Sequence, residues 1–98
     1  MIEVEIDHEL KTWPEYFSAV WDHRKTFEVR KDDRDFVLYD AVRLVEWSEQ
    51  SGATGRSVVV EITYILRGGD AIQFGIDDGT CVFAFREISR DVEIGSGR

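Results

Sequence analysis

The chain opens on a period of two. Ile2, Val4 and Ile6 alternate with Glu3, Glu5 and Asp7, the pattern of a strand with one wet face, and it can continue through Leu10. Thr12-Trp13-Pro14-Glu15 then reads as a helix start. Thr12 or Trp13 serves as N-cap, Pro14 suits the first turn because its missing N–H is not needed there, and Glu15 complements the helix dipole. Trp13, Phe17, Val20 and Trp21 recur at helical spacing. They predict a helix of about two to three turns, too short to stand alone, ending near Asp22-His23. Trp13 and Trp21, in step with Phe17, are expected in the core or at its rim.

Thr26 to Lys31 predicts a strand, with Phe27 and Val29 on one face and Thr26, Glu28 and Arg30 on the other. Asp32 to Asp35 is a polar turn, Phe36 to Leu38 is apolar, and Ala41 to Trp47 is a further strand. Ser48 to Gly55 reads as a loop. Arg56 to Leu66 is the longest strand, with Val58, Val60, Ile62, Tyr64 and Leu66 sharing a face. Gly68-Gly69 turns the chain, Ala71 to Phe74 is a short strand, Asp78-Gly79 signals a tight hairpin, and Thr80 to Ile88 is the last strand. Residues 91 to 98, with Gly95 and Gly97, are expected to form a flexible tail behind a single domain spanning 1 to 90. The pattern is therefore mainly β with one or two short helices, an α+β chain. Its five or six short strands are expected to close, or half-close, into a small β-barrel, since an open sheet would leave edges to protect.

Length and composition narrow the reading. The 98 residues, 43% of them apolar, suffice for one core. The single cysteine, Cys81, forbids an intrachain disulfide and fits a reducing compartment. It lies among alternating apolar residues and is expected to be buried. No apolar run nears the roughly 20 residues of a membrane span, and the acidic start is unlike a secretory signal, so a cytoplasmic protein is expected. Twelve basic against twenty acidic residues give a net charge of −8. Such a field repels a polyanion. A nucleic-acid role then needs a local basic site, a single nucleotide, or mimicry of nucleic acid. No metal-ligand spacing, phosphate-cradling glycine loop or nucleophile elbow is present, and Asp77-Asp78 reads as turn chemistry. Neither metal nor cofactor is expected.

The segment His23-Arg24-Lys25-Thr26-Phe27-Glu28-Val29-Arg30 gathers a lysine, a carboxylate and a guanidinium around a helix-to-strand turn. Such a cluster can clamp a phosphate, a carboxylate or the polar edge of a base. Pattern alone leaves a second reading open, a solvated ion-pair face worth little.

Two stretches carry a resemblance. H-x-L-K-T-W-P at His8 to Pro14 and R-K-T-F-E-V-R-K-x-D-R-x-F at Arg24 to Phe36 resemble the phage and bacterial domains of unknown function grouped with the ASCH domains of the PUA-like superfamily. Lys25, Glu28 and Arg30 fall on the K, E and R of the ASCH hallmark G-x-K-x-x-E-x-R. Asp40, Glu46-Trp47 and Thr54-Gly55-Arg56 match as well, so the resemblance runs over roughly residues 8 to 88. It implies a small barrel with a helix after the first strand, beside a cleft that binds RNA, a nucleotide or a modified base. His8 and Lys11 are then expected to face that cleft beside Lys25. Trp47 joins Trp13 and Trp21 as a candidate platform for a base, worth about 1–3 kcal/mol per stack.

Some such relatives are N4-acetylcytidine amidohydrolases or ribonucleases. In the amidohydrolases a threonine stands at the position of Glu28. His23 replaces the hallmark glycine, either as a strained turn residue or as a group that touches the ligand, and Tyr39 stands where relatives commonly carry glycine. Three functions follow. A binding module using His8, Lys11, His23, Lys25, Glu28, Arg30 and Trp47 is the reading the residues favour. An enzyme would use Lys25 to handle a proton and Glu28 to orient or act as base, with Arg30 stabilising negative charge. A protein-interaction or inhibitor module would use an acidic face that mimics nucleic acid, and a continuous surface including Glu3, Glu5 and Asp7 would favour it.

Overall fold

The computed structural model describes residues 4–92. Five strands, β1 His8–Thr12, β2 Phe27–Lys31, β3 Ala41–Ser48, β4 Gly52–Arg67 and β5 Thr80–Val92, form one sheet in the order β1-β3-β4-β5-β2. β1 runs parallel to β3, and the other pairs are antiparallel. Helix α1 (Pro14–Trp21) follows β1, and a short helix α2 (Gly68–Ala71) with a 3-10 turn over Ile72–Phe74 follows β4. The mainly-β α+β expectation holds at this level. No helix among the described residues is long and apolar enough to cross a membrane.

The two edge strands come together. Arg30 Nη2 on β2 donates to the carbonyl of Lys11 on β1 at 3.0 Å, and Arg34 Nη1 reaches the carbonyl of Glu9 at 3.4 Å. Those carbonyls are two residues apart and so share the outer side of the β1 edge. No backbone ladder joins β1 to β2 among the described residues. The sheet is therefore curled into a half-barrel whose seam is laced by guanidinium groups, which also satisfy an edge that would otherwise stay unpaired. Fully buried Phe36, Leu44, Val58, Ile62 and Phe83 fill the inside, and Phe17 and Val20 of α1 join them.

α1 begins as expected. Trp13 is the N-cap in extended conformation and Pro14 the first helical residue. It ends in a left-handed residue, His23 at φ 63°, after which Arg24 and Lys25 both donate their amides to the carbonyl of Ala19. This is a common way to end a helix, and glycine usually supplies it. Tyr39 is likewise left-handed, at φ 72°. Both departures from glycine thus fall at positions where a side chain is strained.

Several sequence expectations are corrected. The opening strand starts at His8 rather than near residue 1: among the described residues, 4 to 7 lie outside the sheet, and residues 1 to 3 fall outside the description. The partner strand begins only at Ala41, and Asp7 closes the ladder there, its carboxylate accepting the Ala41 amide at 2.8 Å. The 48–55 loop shrinks to a turn over 49–51 because Ser48 pairs with Gly52 and Trp47 with Ala53. The long alternation in β4 breaks at a bulge between Ile62 and Tyr64. Past it Tyr64 is 64% exposed, and Ile65 takes over packing on the core.

The short strand over Ala71–Phe74 is helical instead, with Ile72 and Phe74 exposed. Gly68 explains this geometry: a Cβ there would lie 1.7 Å from the Asp77 carbonyl oxygen, so the neck of the 68–79 connection closes only around glycine. Gly79 is left-handed but Asp78 is not, so the turn ends this longer connection rather than a two-residue hairpin. β5 continues past Ile88 to Val92, which pairs with Arg56. The expected tail therefore begins inside a strand, and residues 93 to 98 lie outside the description.

Candidate functional site

The register of β2 on β5 decides which residues face inward. Glu28 stands opposite Phe83 and Arg30 opposite Cys81, and both partners are fully buried. Directly paired residues share a face of the sheet, so Glu28 and Arg30 point into the half-barrel. Phe27 and Val29 point out, 46% and 55% exposed. This excludes the solvated ion-pair reading: the charged face of the strand is the inner one, and the apolar face is the wet one.

Glu28 is 3% exposed. A carboxylate so placed must be paired and hydrogen-bonded. Lys25 Nζ donates to Oε2 at 2.8 Å and Arg30 Nε to Oε1 at 3.1 Å. Lys25 reaches it because the left-handed turn at His23 swings the chain back, and its Nζ also donates to the Phe27 carbonyl at 2.7 Å. Arg30 Nη2 bonds the Lys11 carbonyl and, at 3.2 Å, the buried hydroxyl of Thr12. An ammonium has three donors and a guanidinium five. One Lys25 proton and the Arg30 Nη1 group are thus left without a protein partner among the described residues.

These donors lie beside a groove of about 490 Å³ lined by Lys11, Thr12, Trp13 and Tyr16 on one side and by Lys25 and residues 27–30 on the other. Trp13 and Tyr16, 58% and 50% exposed, form its aromatic rim together with Phe27. The site pairs a buried carboxylate with partly free cationic donors beneath exposed rings. It can accept hydrogen bonds at the carboxylate, donate several, and stack a flat group.

Of the expected site residues, Lys11, Lys25, Glu28 and Arg30 come together here. His8 does not line the groove. Its Nε2 bonds Asp40 at 2.8 Å and its ring packs on Phe36, pinning the 36–41 segment, where Asp40 also accepts the Val37 amide. His23 lies by β5, 3.8 Å from Glu87 and beside Arg90. Trp47 stands under Lys11, whose Nζ is 4.4 Å from the ring centre, and supports the groove without lining it. Trp13 is at the rim, whereas half-buried Trp21 lies beneath the guanidiniums of Arg56 and Arg90. Sequence reasoning did not assign Thr12, Tyr16, Phe27 or Val29 to the site. The available signal was helical: Trp13 and Tyr16 are three residues apart and share a face.

A second buried carboxylate is built differently. Glu46, 5% exposed, takes a two-point contact from Arg56, Nε at 2.9 Å and Nη2 at 3.0 Å, plus the Thr54 hydroxyl. These hydrogen bonds, Arg56 first, hold its carboxyl below the usual range against the opposing effect of burial. Glu87 is lowered in the same way, chiefly by its bonds from Arg90. Burial pushes the Cys81 thiol up.

Several acidic residues are engaged within the fold. Asp7 is spent on a backbone amide, Glu9 lies 3.8 Å from Arg43, and Glu61 and Asp32 pair with Arg86 and Arg67. Glu3 falls outside the described residues. Among the described residues no group of three or more His, Cys, Asp or Glu side chains could hold a metal ion.

Similarity to other proteins runs through the site. An uncharacterized 12.9 kDa protein in the GpA 3′ region of Escherichia phage P2 is 41% identical over 66 residues, 67% of this chain. The match spans 60% of that protein's own length. The family model described as "Domain of unknown function (DUF3850)" matches residues 7–85, both walls of the groove included, and the chain belongs to that family.

Proposed function

We propose that this chain is a small PUA-like, ASCH-type module that binds a nucleotide, a modified base or RNA in the groove of Lys25, Glu28 and Arg30. The observation that carries the reading is the buried carboxylate of Glu28, clamped by two cations that keep free donors, beneath an aromatic rim. A base edge offers N–H donors to a carboxylate and carbonyl acceptors to Lys25 or Arg30, and its face can stack on Trp13, Tyr16 or Phe27. The groove volume falls in the range of small-ligand sites, about 300–1,000 Å³. The K-x-x-E-x-R spacing and a half-barrel with its helix directly after β1 are compatible with the ASCH resemblance.

Both carboxylate oxygens of Glu28 are held by cations. That arrangement favours fixed recognition over a base that must gain and lose a proton, so binding is preferred to hydrolysis.

Titration of the 15N-labelled chain with short single-stranded RNAs, nucleoside monophosphates and N4-acetylcytidine tests the proposal. Shifts are expected at residues 25 to 30 and at the Trp13 indole, and Glu28→Gln is expected to weaken them at least tenfold. No shift there at millimolar ligand sinks the reading. Turnover of N4-acetylcytidine that disappears in Lys25→Ala would replace it with the hydrolase.

A further inference from the structure

The groove does not stop at Arg30. A smaller hollow of about 150 Å³ lies on the far side of that residue, lined by Leu10, Arg30, Lys31, Asp33, Arg34 and Phe36. Arg30 lines both spaces, so they follow one another along the seam between β1 and β2. Lys11, Lys25, Arg30, Lys31 and Arg34 flank this path, against only Glu28 and Asp33. A positive strip thus crosses a chain whose net charge is −8.

The two arginines of the seam are held differently. Arg30 is 25% exposed and bound at three points, to Glu28, the Lys11 carbonyl and Thr12. Arg34 is 51% exposed, and its contacts are long: 3.4 Å to the Glu9 carbonyl and 4.0 Å to Asp33. Lys31 is exposed and has no ion-pair partner among the described residues. Arg30 builds the seam, whereas Arg34 and Lys31 are free to meet an anion.

Resting on the binding function proposed above, the geometry points to a ligand longer than one nucleotide. The ligand is a single-stranded oligonucleotide, with one base in the aromatic groove and a neighbouring phosphate on Lys31 and Arg34. A mononucleotide in the groove is already served by Lys25 and Arg30, and its phosphate would leave the outer pair unused. The exposed rings require an unstacked base, which a duplex does not present. Charge gathered along a path, rather than at a point, fits a repeating anion.

The test compares uridine and cytidine monophosphates with fluorescein-labelled hexauridylate and hexacytidylate on the folded chain, by NMR and anisotropy across a salt series. The better hexamer is expected to bind at least tenfold tighter than its monophosphate. The double variant Lys31→Ala/Arg34→Ala is expected to lose that advantage and to leave monophosphate affinity within twofold. The salt slope should fall by about 0.7 for each phosphate that the variant no longer neutralises. Lys31→Ala alone, which breaks no side-chain bond among the described residues, and Arg34→Lys, which keeps the charge, guard against a folding defect. Arg34→Lys should retain most of the affinity.

Hexamer and monophosphate of equal affinity, or a double variant with unchanged salt slope, overturns the extended site and leaves the groove as a mononucleotide pocket. Binding of neither probe class removes both this inference and the function on which it rests.

Discussion

Glu28 and Glu46 are both buried glutamates facing an arginine, and they differ in what their partners have left over. Arg56 turns its two-pronged edge to Glu46, Thr54 adds a third bond, and the guanidinium lies over the rings of Phe17 and Trp21. Filled in that way, the pair is stapled between α1 and the sheet. At Glu28 the carboxylate is shared between a lysine and a single nitrogen of Arg30, whose Nη2 is drawn off to the seam. Unused donors remain, and they remain beside a groove. A paired buried charge serves architecture when one partner saturates it from within the fold. It is equipped for recognition when its cations are divided among several tasks.

The largest effects should separate the two sites by stability. Removing one partner of a buried pair strands the other, which costs about 3–5 kcal/mol when that other group is fully buried. Arg56 keeps 31% side-chain exposure, so Glu46→Ala is expected to cost about 3 kcal/mol, the low end of that range. Glu28→Ala should cost less, about 1–2 kcal/mol, because Lys25 and Arg30, although less exposed than Arg56, keep carbonyl acceptors once the carboxylate is gone. Its main effect should fall on ligand binding. Urea unfolding of the two variants measures the difference, and a Glu28→Ala variant less stable than Glu46→Ala would reverse the comparison.

A smaller effect comes from pH. The folded-state value of Glu46 is lowered, chiefly by its hydrogen bonds from Arg56. A lowered carboxyl adds stability that is fully present above its ordinary value, about 4.3, and is lost as the pH falls through the folded value. Glu87 behaves in the same direction through Arg90. Wild-type stability should therefore decline below about pH 4.3. The gap between wild type and Glu46→Gln should shrink over the same interval. Denaturation curves at pH 7, 4 and 3 check it. A gap that widens on acidification would remove Arg56 as the cause.

The contrast between the sites also marks where the sequence could be read. α1 was legible to within about a residue, because Trp13-Pro14 is a local signal that needs no partner, while the turn at His23 was suggested by the hallmark glycine it replaces. β3 was nearly so. The cluster of Lys25, Glu28 and Arg30 was found by spacing, and Lys11 by resemblance. Three things were not legible. The bulge after Ile62 is fixed by the β4–β5 register, the helical 68–74 segment by one close approach at Gly68, and the seam by Arg30 reaching a strand nineteen residues earlier. His8 was misplaced for a similar reason: its partner Asp40 is thirty-two residues away. Each depends on a meeting of distant segments, about which periodicity carries no information.

The smallest predicted effect tests the orientation on which all of this rests. Periodicity would make Phe27 a core residue and Glu28 its wet neighbour, whereas the β5 register does the reverse. The Phe27 ring is 46% exposed, and Lys25 Nζ is 5.1 Å from its centre. A cation over an exposed ring is worth about 0.5–1 kcal/mol, and little apolar surface is buried with it. Phe27→Ala should therefore change stability by less than about 1 kcal/mol while weakening binding at the rim. Phenylalanine in a core loses about 3–5 kcal/mol on the same change. A loss of that size would mean that β2 presents its other face inward. Glu28 would then stand in water, its pairing with Lys25 and Arg30 would be a surface contact, and no distinction between the two glutamates would remain to explain.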